Sequence, residues 1–384
     1  MINRPFWIKQ IESFWKQRSI VWLSGVRRVG KTSLAGMFQN SVYLNCDLPS
    51  TMQQFEDPEY FFKAQKKDSV IILDEIHHLK DPSNVLKIAA DAFPRLRILA
   101  TGSSTLQATK KFRDSLTGRK WTLYLCPILW TECLENFGVH DLDKRLLHGG
   151  LPEPLLAETK NPDFFTEWMD SYYARDIAEL FGVRDRSGFL NLLKLLLYQS
   201  SGLVDITKLA SEVGVSRPTV KAYMEAMTVA HAIFPVMPFH GGGRREIVRR
   251  PKIYAFDTGF VTFIRGWNSL RDADRGGLWE HLVLDTLRAV GLTHNLGYWR
   301  DKSDREIDFV LRRERDFVDT VECKIDPSRF NQENLEQFRK LYPKGNNWLV
   351  SPRVDSIFTR RFKDREVRFI SPHHILAGQL TAKQ

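Results

Sequence analysis

The stretch "VWLSGVRRVGKTSLAGMF", residues 21 to 38, constrains the fold more than any other. An apolar run ending at Leu23 is followed by Gly25, Val26, Arg27, Arg28, Val29, Gly30, Lys31, Thr32 and Ser33, and then by a helical pattern. Strand, glycine loop and helix in that order form a P-loop, the start of an α/β domain. Gly25 and Gly30 let the backbone turn so that successive N–H groups face phosphates, and the positive end of the following helix adds to the attraction. In this pattern Lys31 reaches the β- and γ-phosphates and the Thr32 hydroxyl ligates Mg²⁺. The expected cofactors are ATP and Mg²⁺, although the loop alone does not separate ATP from GTP.

The next segments supply more strands. "SVYLNCDLP" is rich in β-formers, and "SVIILDEIHHL" carries four apolar β-formers into Asp74-Glu75. Ligands of parallel sheets sit off the carboxyl ends of the strands, so two acids delivered there suit a nucleotide site. Asp74 is expected to hold Mg²⁺ through water, and Glu75 to polarise the attacking water as general base. A third strand, "RLRILATGSST", ends in Thr101-Gly102-Ser103-Ser104. Ser103 is the candidate there for a bond to the γ-phosphate or the lytic water.

The glycine loop, "LDE" and "TGSS" in this order resemble the AAA+ ATPases. A closer resemblance is to a bacterial and archaeal family of AAA+ ATPases with a C-terminal domain long described as of unknown function. It rests on "SGVRRVGKTSL", "LTGR" with "LYLCPILWTECLE", "GGLPE" at 149 to 153, "YYARDI" at 172 to 177 and "KIYAFDTGF" at 252 to 260. The AAA+ resemblance implies a homo-oligomeric ring, usually a hexamer, in which a neighbour's arginine completes each site. Arg119, just before the apolar strand "WTLYLCPI", is the first candidate for that finger. Arg113 and Arg175 are rivals, and a surface role remains open for each.

At 384 residues the chain has room for about two to four domains. A hydrophobic fraction of 43% supplies ample core. No window approaches the ~20 apolar residues that span a bilayer, and "MINRPFWIKQIESFWKQ" lacks a signal-peptide apolar core, so a cytoplasmic protein with no membrane partner is expected. Cys46, Cys126, Cys133 and Cys323 have no metal-ligand spacing and read as free, mostly buried thiols. The net charge of +10 matters because basic residues cluster, in Lys110–Lys120 and in Arg244–Lys252. Charge runs also fit plain solvated faces.

Residues 205 to 228, "DITKLASEVGVSRPTVKAYMEAMT", read as helix, turn and helix, with Asp205 and Ser216 as caps and Gly214 at the turn. The pattern is similar to a DNA-binding helix-turn-helix whose second helix offers Arg217, Thr219, Lys221 and Tyr223. The following stretch reads as two strands around Gly241-Gly242-Gly243, a wing whose tip carries Arg244 and Arg245 for phosphates. DNA is the expected partner; a packing or oligomerisation role is the alternative.

Near the C-terminus a helix containing Glu280 precedes "EIDFVLRR" and "FVDTVECKI". Alternation places Glu322 and Lys324 on one side of their strand. Asp308 and Glu322 as metal ligands, Lys324 as the water-activating or charge-stabilising residue and Glu280 as an upstream acid are similar to the PD-(D/E)xK nucleases. The same groups also fit a metal-free ion-paired cluster in a binding module. The expected architecture is therefore α/β: a P-loop AAA+ core over 1–147, a helical lid over 148–200, a winged helix-turn-helix over 201–265 and a restriction-endonuclease-like domain over 266–384. Two functions follow, an ATP-hydrolysing machine that remodels or processes DNA, or a nucleotide-controlled assembly switch with an inactive C-terminal module.

Overall fold

Continuous runs of Ile, Val, Leu and Trp can be buried on both faces only in a covered parallel sheet. In a computed structural model of the chain, residues 2–102, 110–178, 181–240 and 250–381 are described, and such runs form the centre of a five-stranded sheet. The strands are β1 (Ile20–Ser24), β2 (Ser41–Asn45), β3 (Val70–Asp74), β4 (Arg97–Thr101) and β5 (Lys120–Tyr124), all parallel, in the order β2-β3-β4-β1-β5. The central strands β1 and β3 are buried throughout, while the edge strands β2 and β5 are mostly half-buried or exposed. Trp22, fully buried, packs edge-on against Phe112 at 4.8 Å. Each large apolar side chain so buried contributes roughly 1.5–3 kcal/mol.

Register puts the chemistry on one edge. Leu23 lies opposite Thr101, and Leu73 opposite Ala100, so the glycine loop, Asp74-Glu75 and Thr101 all emerge at the carboxyl end of the sheet. The helix after the loop is short, Lys31–Ala35, because Gly36 follows it at once. This unit comprises residues 1–126, 170–184 and 229–231, so two later segments of the chain return to it.

The second unit comprises residues 127–169, 185–228 and 232–384. It contains a nine-stranded mixed sheet in the order β13-β14-β12-β11-β10-β9-β7-β8-β6. The strands are β6 (Gly202–Leu203), β7 (Ile233–Pro238), β8 (Lys252–Ala255), β9 (Leu296–Arg300), β10 (Glu306–Arg312), β11 (Val318–Cys323), β12 (Asn347–Val350), β13 (Phe358–Phe362) and β14 (Arg365–Ile370). The wing strands β7 and β8 pair antiparallel, as the sequence suggests, but β7 also pairs in parallel with β9. The Phe239 N–H donates to the Tyr298 carbonyl at 2.6 Å across this junction. Winged region and C-terminal strands therefore share one sheet, where the sequence reading divides them at residue 265.

The helix-turn-helix forms from Ile206–Val213 and Arg217–Val229, with Asp205 accepting from the Thr207 and Lys208 N–H groups and Gly214 left-handed at the turn. "GGLPE" and "DTGF" turn out to be two halves of a clamp. The buried Asp257 carboxylate accepts from Gly150 N–H at 2.6 Å and Gly259 N–H at 2.8 Å. Gly149 has φ +86°, and a Cβ there would lie 2.0 Å from Asp257 Oδ1. All four cysteines are free and buried. Among the described residues no helix is long and apolar enough to cross a membrane.

Candidate functional site

The glycine loop owes its shape to three left-handed residues, Gly25 (φ 151°), Arg28 (φ 61°) and Gly30 (φ 98°). A Cβ on Gly25 would stand 2.8 Å from the Leu125 carbonyl, so only glycine lets the loop lie this close to the end of β5. Val26 and Val29 are buried and anchor the loop, while Thr32 and Ser33 are exposed. The Arg4 guanidinium, itself buried, bonds the Val29 and Cys126 carbonyls from the amino-terminal side. Lys31 Nζ donates to the loop's own Gly25 and Val26 carbonyls at 2.9 and 3.1 Å. Burial lowers the Lys31 pKa, against the opposing pull of Glu75 and Asp176.

Asp74, almost fully buried, ends β3 with both carboxylate oxygens engaged. Tyr43 OH donates to Oδ2 at 2.6 Å, and the Thr101 hydroxyl donates to Oδ1. Thr101 Oγ1 also accepts the Glu75 N–H at 3.0 Å. Thr101 thus orients both acids rather than facing outward. Glu75 is itself left-handed (φ 55°), which turns its carboxyl away from the strand line, 3.2 Å from His77 Nδ1. Burial pushes the Glu75 carboxyl up, but His77, Lys31 and Arg27 outweigh it and leave it below its ordinary value. A carboxylate kept ionised at neutral pH has the charge state a general base requires.

Two further groups reach the loop from later in the chain. Asp176, on the π-helical turn Tyr173–Ala178, places Oδ2 3.1 Å from Arg27 Nε. His231 Nε2 lies 2.8 Å from Ser24 Oγ, and its ring packs on Tyr124 at 4.7 Å. Sequence reading missed Tyr43, Asp176 and His231. The "YYARDI" motif was the only signal for Asp176, and attention there fell on Arg175, which is exposed. Ser103 lies outside the described residues. Arg113 belongs to the helix Lys110–Leu116. Arg119 precedes β5, whose first residue pairs with Ile20 at the opposite end of the sheet from the loop. Its guanidinium grips Asp91 bidentately at 2.6 and 3.0 Å.

In the second unit Asp308, Glu322 and Lys324 converge as their spacing suggests. Lys324 Nζ lies 3.1 Å from Asp308 Oδ2 and 3.0 Å from Glu322 Oε2. A register shift between Ile307 and Val310 re-aims Asp308, which also accepts the Cys323 N–H at 2.7 Å. Glu280 approaches a second cation, Lys252, which the sequence reading counted only within the basic cluster Arg244–Lys252. The buried Lys252 of β8 pairs with Glu280 at 3.4 Å and with Glu306, and Tyr254 OH donates to Glu280 at 2.8 Å. Burial raises Glu280 to about 7 and Glu322 to about 8. Each expected metal ligand of this cluster has an ammonium at ion-pair distance. Among the described residues no group of three or more His, Cys, Asp or Glu side chains is arranged to hold a metal.

On the helix Arg217–Val229, Arg217 and Lys221 are exposed and Thr219 is half-buried, bonded to Ser216. Tyr223 corrects the sequence reading: it is buried, 5.3 Å from Phe189, because Val220, Tyr223, Met224 and Met227 form the inward stripe. Arg244 and Arg245 lie outside the described residues.

Comparison with known proteins divides the chain into three stretches. Residues 17–134 match the model of a family described as an AAA domain. That match supports an AAA+ ATPase-type, nucleotide-binding core on the P-loop parallel sheet. Residues 139–271 and 275–363 match two families described as domains of unknown function, DUF8612 and DUF4143. An uncharacterized protein of Mycobacterium tuberculosis is 28% identical over 306 residues, 76% of this chain and 67% of that protein. An uncharacterized protein of Haemophilus influenzae is 22% identical over 378 residues, 90% of this chain and 92% of the other. A solved Walker-type ATPase of Pyrococcus abyssi covers 69% of this chain and 96% of its own, at 16% identity and a TM-score of 0.43.

Proposed function

We propose that the chain is an AAA+ ATPase that hydrolyses ATP, assembles with itself and acts on DNA. The observation that carries the ATPase reading is the convergence, at one sheet edge, of the Lys31-Thr32 loop with Asp74 and Glu75. The donor set suits a magnesium nucleotide: the Thr32 hydroxyl and Asp74 carboxylate are hard oxygen ligands, and Lys31 supplies the positive charge beside them. When bound, the metal would neutralise charge on the phosphates. Lys31 then exchanges its two carbonyl partners for phosphate oxygens. Glu75, ionised and fixed through its own N–H by Thr101, accepts a proton from water. Arg119 points away from its own site, so any finger role serves a neighbouring copy and requires release from Asp91.

The DNA reading rests on the exposed Arg217 and Lys221 of the second helix of the helix-turn-helix, and on the net charge of +10. Lys31→Ala is expected to abolish nucleotide binding, and unchanged hydrolysis by purified Lys31→Ala would refute the site. Forked or duplex DNA at about 50 mM salt, where electrostatic binding is strong, is expected to raise the ATPase rate. No stimulation removes the DNA motor.

The ammonium pairing of Glu280, Asp308 and Glu322 favours a second reading, a nucleotide-controlled switch whose nuclease-like module binds without cutting. Plasmid and branched-DNA assays with Mg²⁺ or Mn²⁺ decide. Cleavage that disappears in Glu322→Gln restores the nuclease, and no cleavage in either protein supports the switch.

A further inference from the structure

The loop cations of the nucleotide site already have partners, and one of those partners is an acid from outside the AAA match. Asp176 lies within residues 170–184, which pack with the first unit although the family match ends at 134. Its carboxylate sits 3.1 Å from Arg27 Nε, with side-chain exposures of 15% for Asp176 and 30% for Arg27. At that burial the pair is incompletely screened by water. Lys31, the other loop cation, is turned onto the Gly25 and Val26 carbonyls and feels the same carboxylate. An anion arriving at this loop meets a negative group already in place.

We propose that Asp176 is a latch on the nucleotide site, holding Arg27 while the loop is empty and giving it up to the oxygens of a bound nucleoside triphosphate. The proposal rests on the nucleotide reading above and adds regulation to it. The latch sits on a π-helical turn, Tyr173–Ala178, a rare wide turn of the kind found most often at functional sites. The turn has its own anchor, Tyr173 OH donating to the Val183 carbonyl at 2.8 Å. A second contact from outside the AAA match, His231 on Ser24, touches the residue that opens the same loop. Linkage makes the effect reciprocal: if nucleotide weakens the Arg27–Asp176 pair, the pair weakens nucleotide binding by the same factor.

The test is titration of the full chain with a fluorescent ATP analogue and Mg²⁺, comparing wild type, Asp176→Asn, Arg27→Gln, the double variant and Lys31→Ala. Asp176→Asn is expected to tighten binding by about tenfold, within the usual range of coupling between sites. The gain should shrink in the Arg27→Gln background, where nothing is left to release. Melting temperatures of the four Arg27/Asp176 proteins should show coupling without nucleotide and none at saturating nucleotide. A purely structural role for Asp176 predicts the opposite, loss of stability with unchanged or weaker binding, and that result overturns the latch. Should the amide fail to pack, Asp176→Ser is read in its place. Lys31→Ala separates the two claims. If it loses binding and Asp176→Asn does not gain, only the latch fails; if it binds like wild type, the nucleotide site fails and the latch with it.

Discussion

Replacing Lys252 by Met removes a cation that Glu280 and Glu306 share. The side chains are 4%, 16% and 19% exposed respectively, so the carboxylates left behind cannot be fully rehydrated. At 3.4 Å and an effective dielectric near 20, the Lys252–Glu280 attraction alone is about 5 kcal/mol before desolvation is subtracted. Breaking a buried pair from one side costs about 3–5 kcal/mol. Tyr254 still donates to Glu280, and Arg300 still reaches Glu306 at 3.1 Å, so the lower end of that range is expected. Urea unfolding of the full chain, followed through tryptophan fluorescence, reads the loss directly. Adding Glu280→Gln and Glu306→Gln to Lys252→Met should recover most of it, because no unpaired charge then remains. The loss should also be smaller at pH 5 than at pH 8, since carboxyls without a cation take up protons. A Lys252→Met protein within about 0.5 kcal/mol of wild type at pH 8 would refute the cluster as described. So would a triple variant no more stable than Lys252→Met.

Three other outcomes follow from the geometry. Between pH 6.5 and 8 the second unit should lose stability, because Glu322, raised to about 8, holds a proton in the fold that an unfolded carboxyl near 4 has released. The slope is at most about 1.4 kcal/mol per pH unit for that proton; His281, lowered to about 3, is neutral in the fold, and its unfolded form, titrating near 6.5, opposes the loss only at the lower end of this window. Glu280 and Asp285, each raised to about 7, add to the loss at the lower end of the window, so Glu322→Gln should reduce the slope in denaturant titrations, most clearly toward pH 8, and an unchanged slope contradicts the assignment. Gly149→Ala must move a Cβ out of Asp257 and accept a left-handed backbone, at about 3 kcal/mol; a melting temperature within a degree of wild type counts against the clamp. Arg119→Ala should spare nucleotide binding and lower turnover only in the assembled form, measured as ATPase rate against protein concentration, and a loss of binding by the dilute protein would argue against a finger.

The nucleotide loop and its acids were legible because the residues concerned are consecutive, and a strand of period two or a glycine turn places neighbours predictably. Asp308, Glu322 and Lys324 were legible for the same reason, the two acids sitting at fixed places on obvious strands and Lys324 one residue past the end of β11. Tyr43 on Asp74, Asp176 on Arg27 and His231 on Ser24 were not, since each contact joins residues 31, 149 and 207 positions apart. Tyr223 was misjudged for a local reason, the helical stripe that turns it inward. Lys252 was misjudged for a topological one. "KIYA" looks like the return strand of an exposed hairpin, but all four residues are buried once β7 joins β9.

That junction bears on how such a chain can be cut or exchanged. The family matches part company between residues 271 and 275, yet hydrogen bonds run from β7 to β9 and Lys252 is neutralised by acids carried on the far side of the gap. A fragment ending at the seam would expose an open strand edge and a stranded ammonium, and its complement would keep acids with no counterion. Recombination between relatives should therefore preserve the two stretches as a single heritable block, whatever borders their sequence profiles suggest.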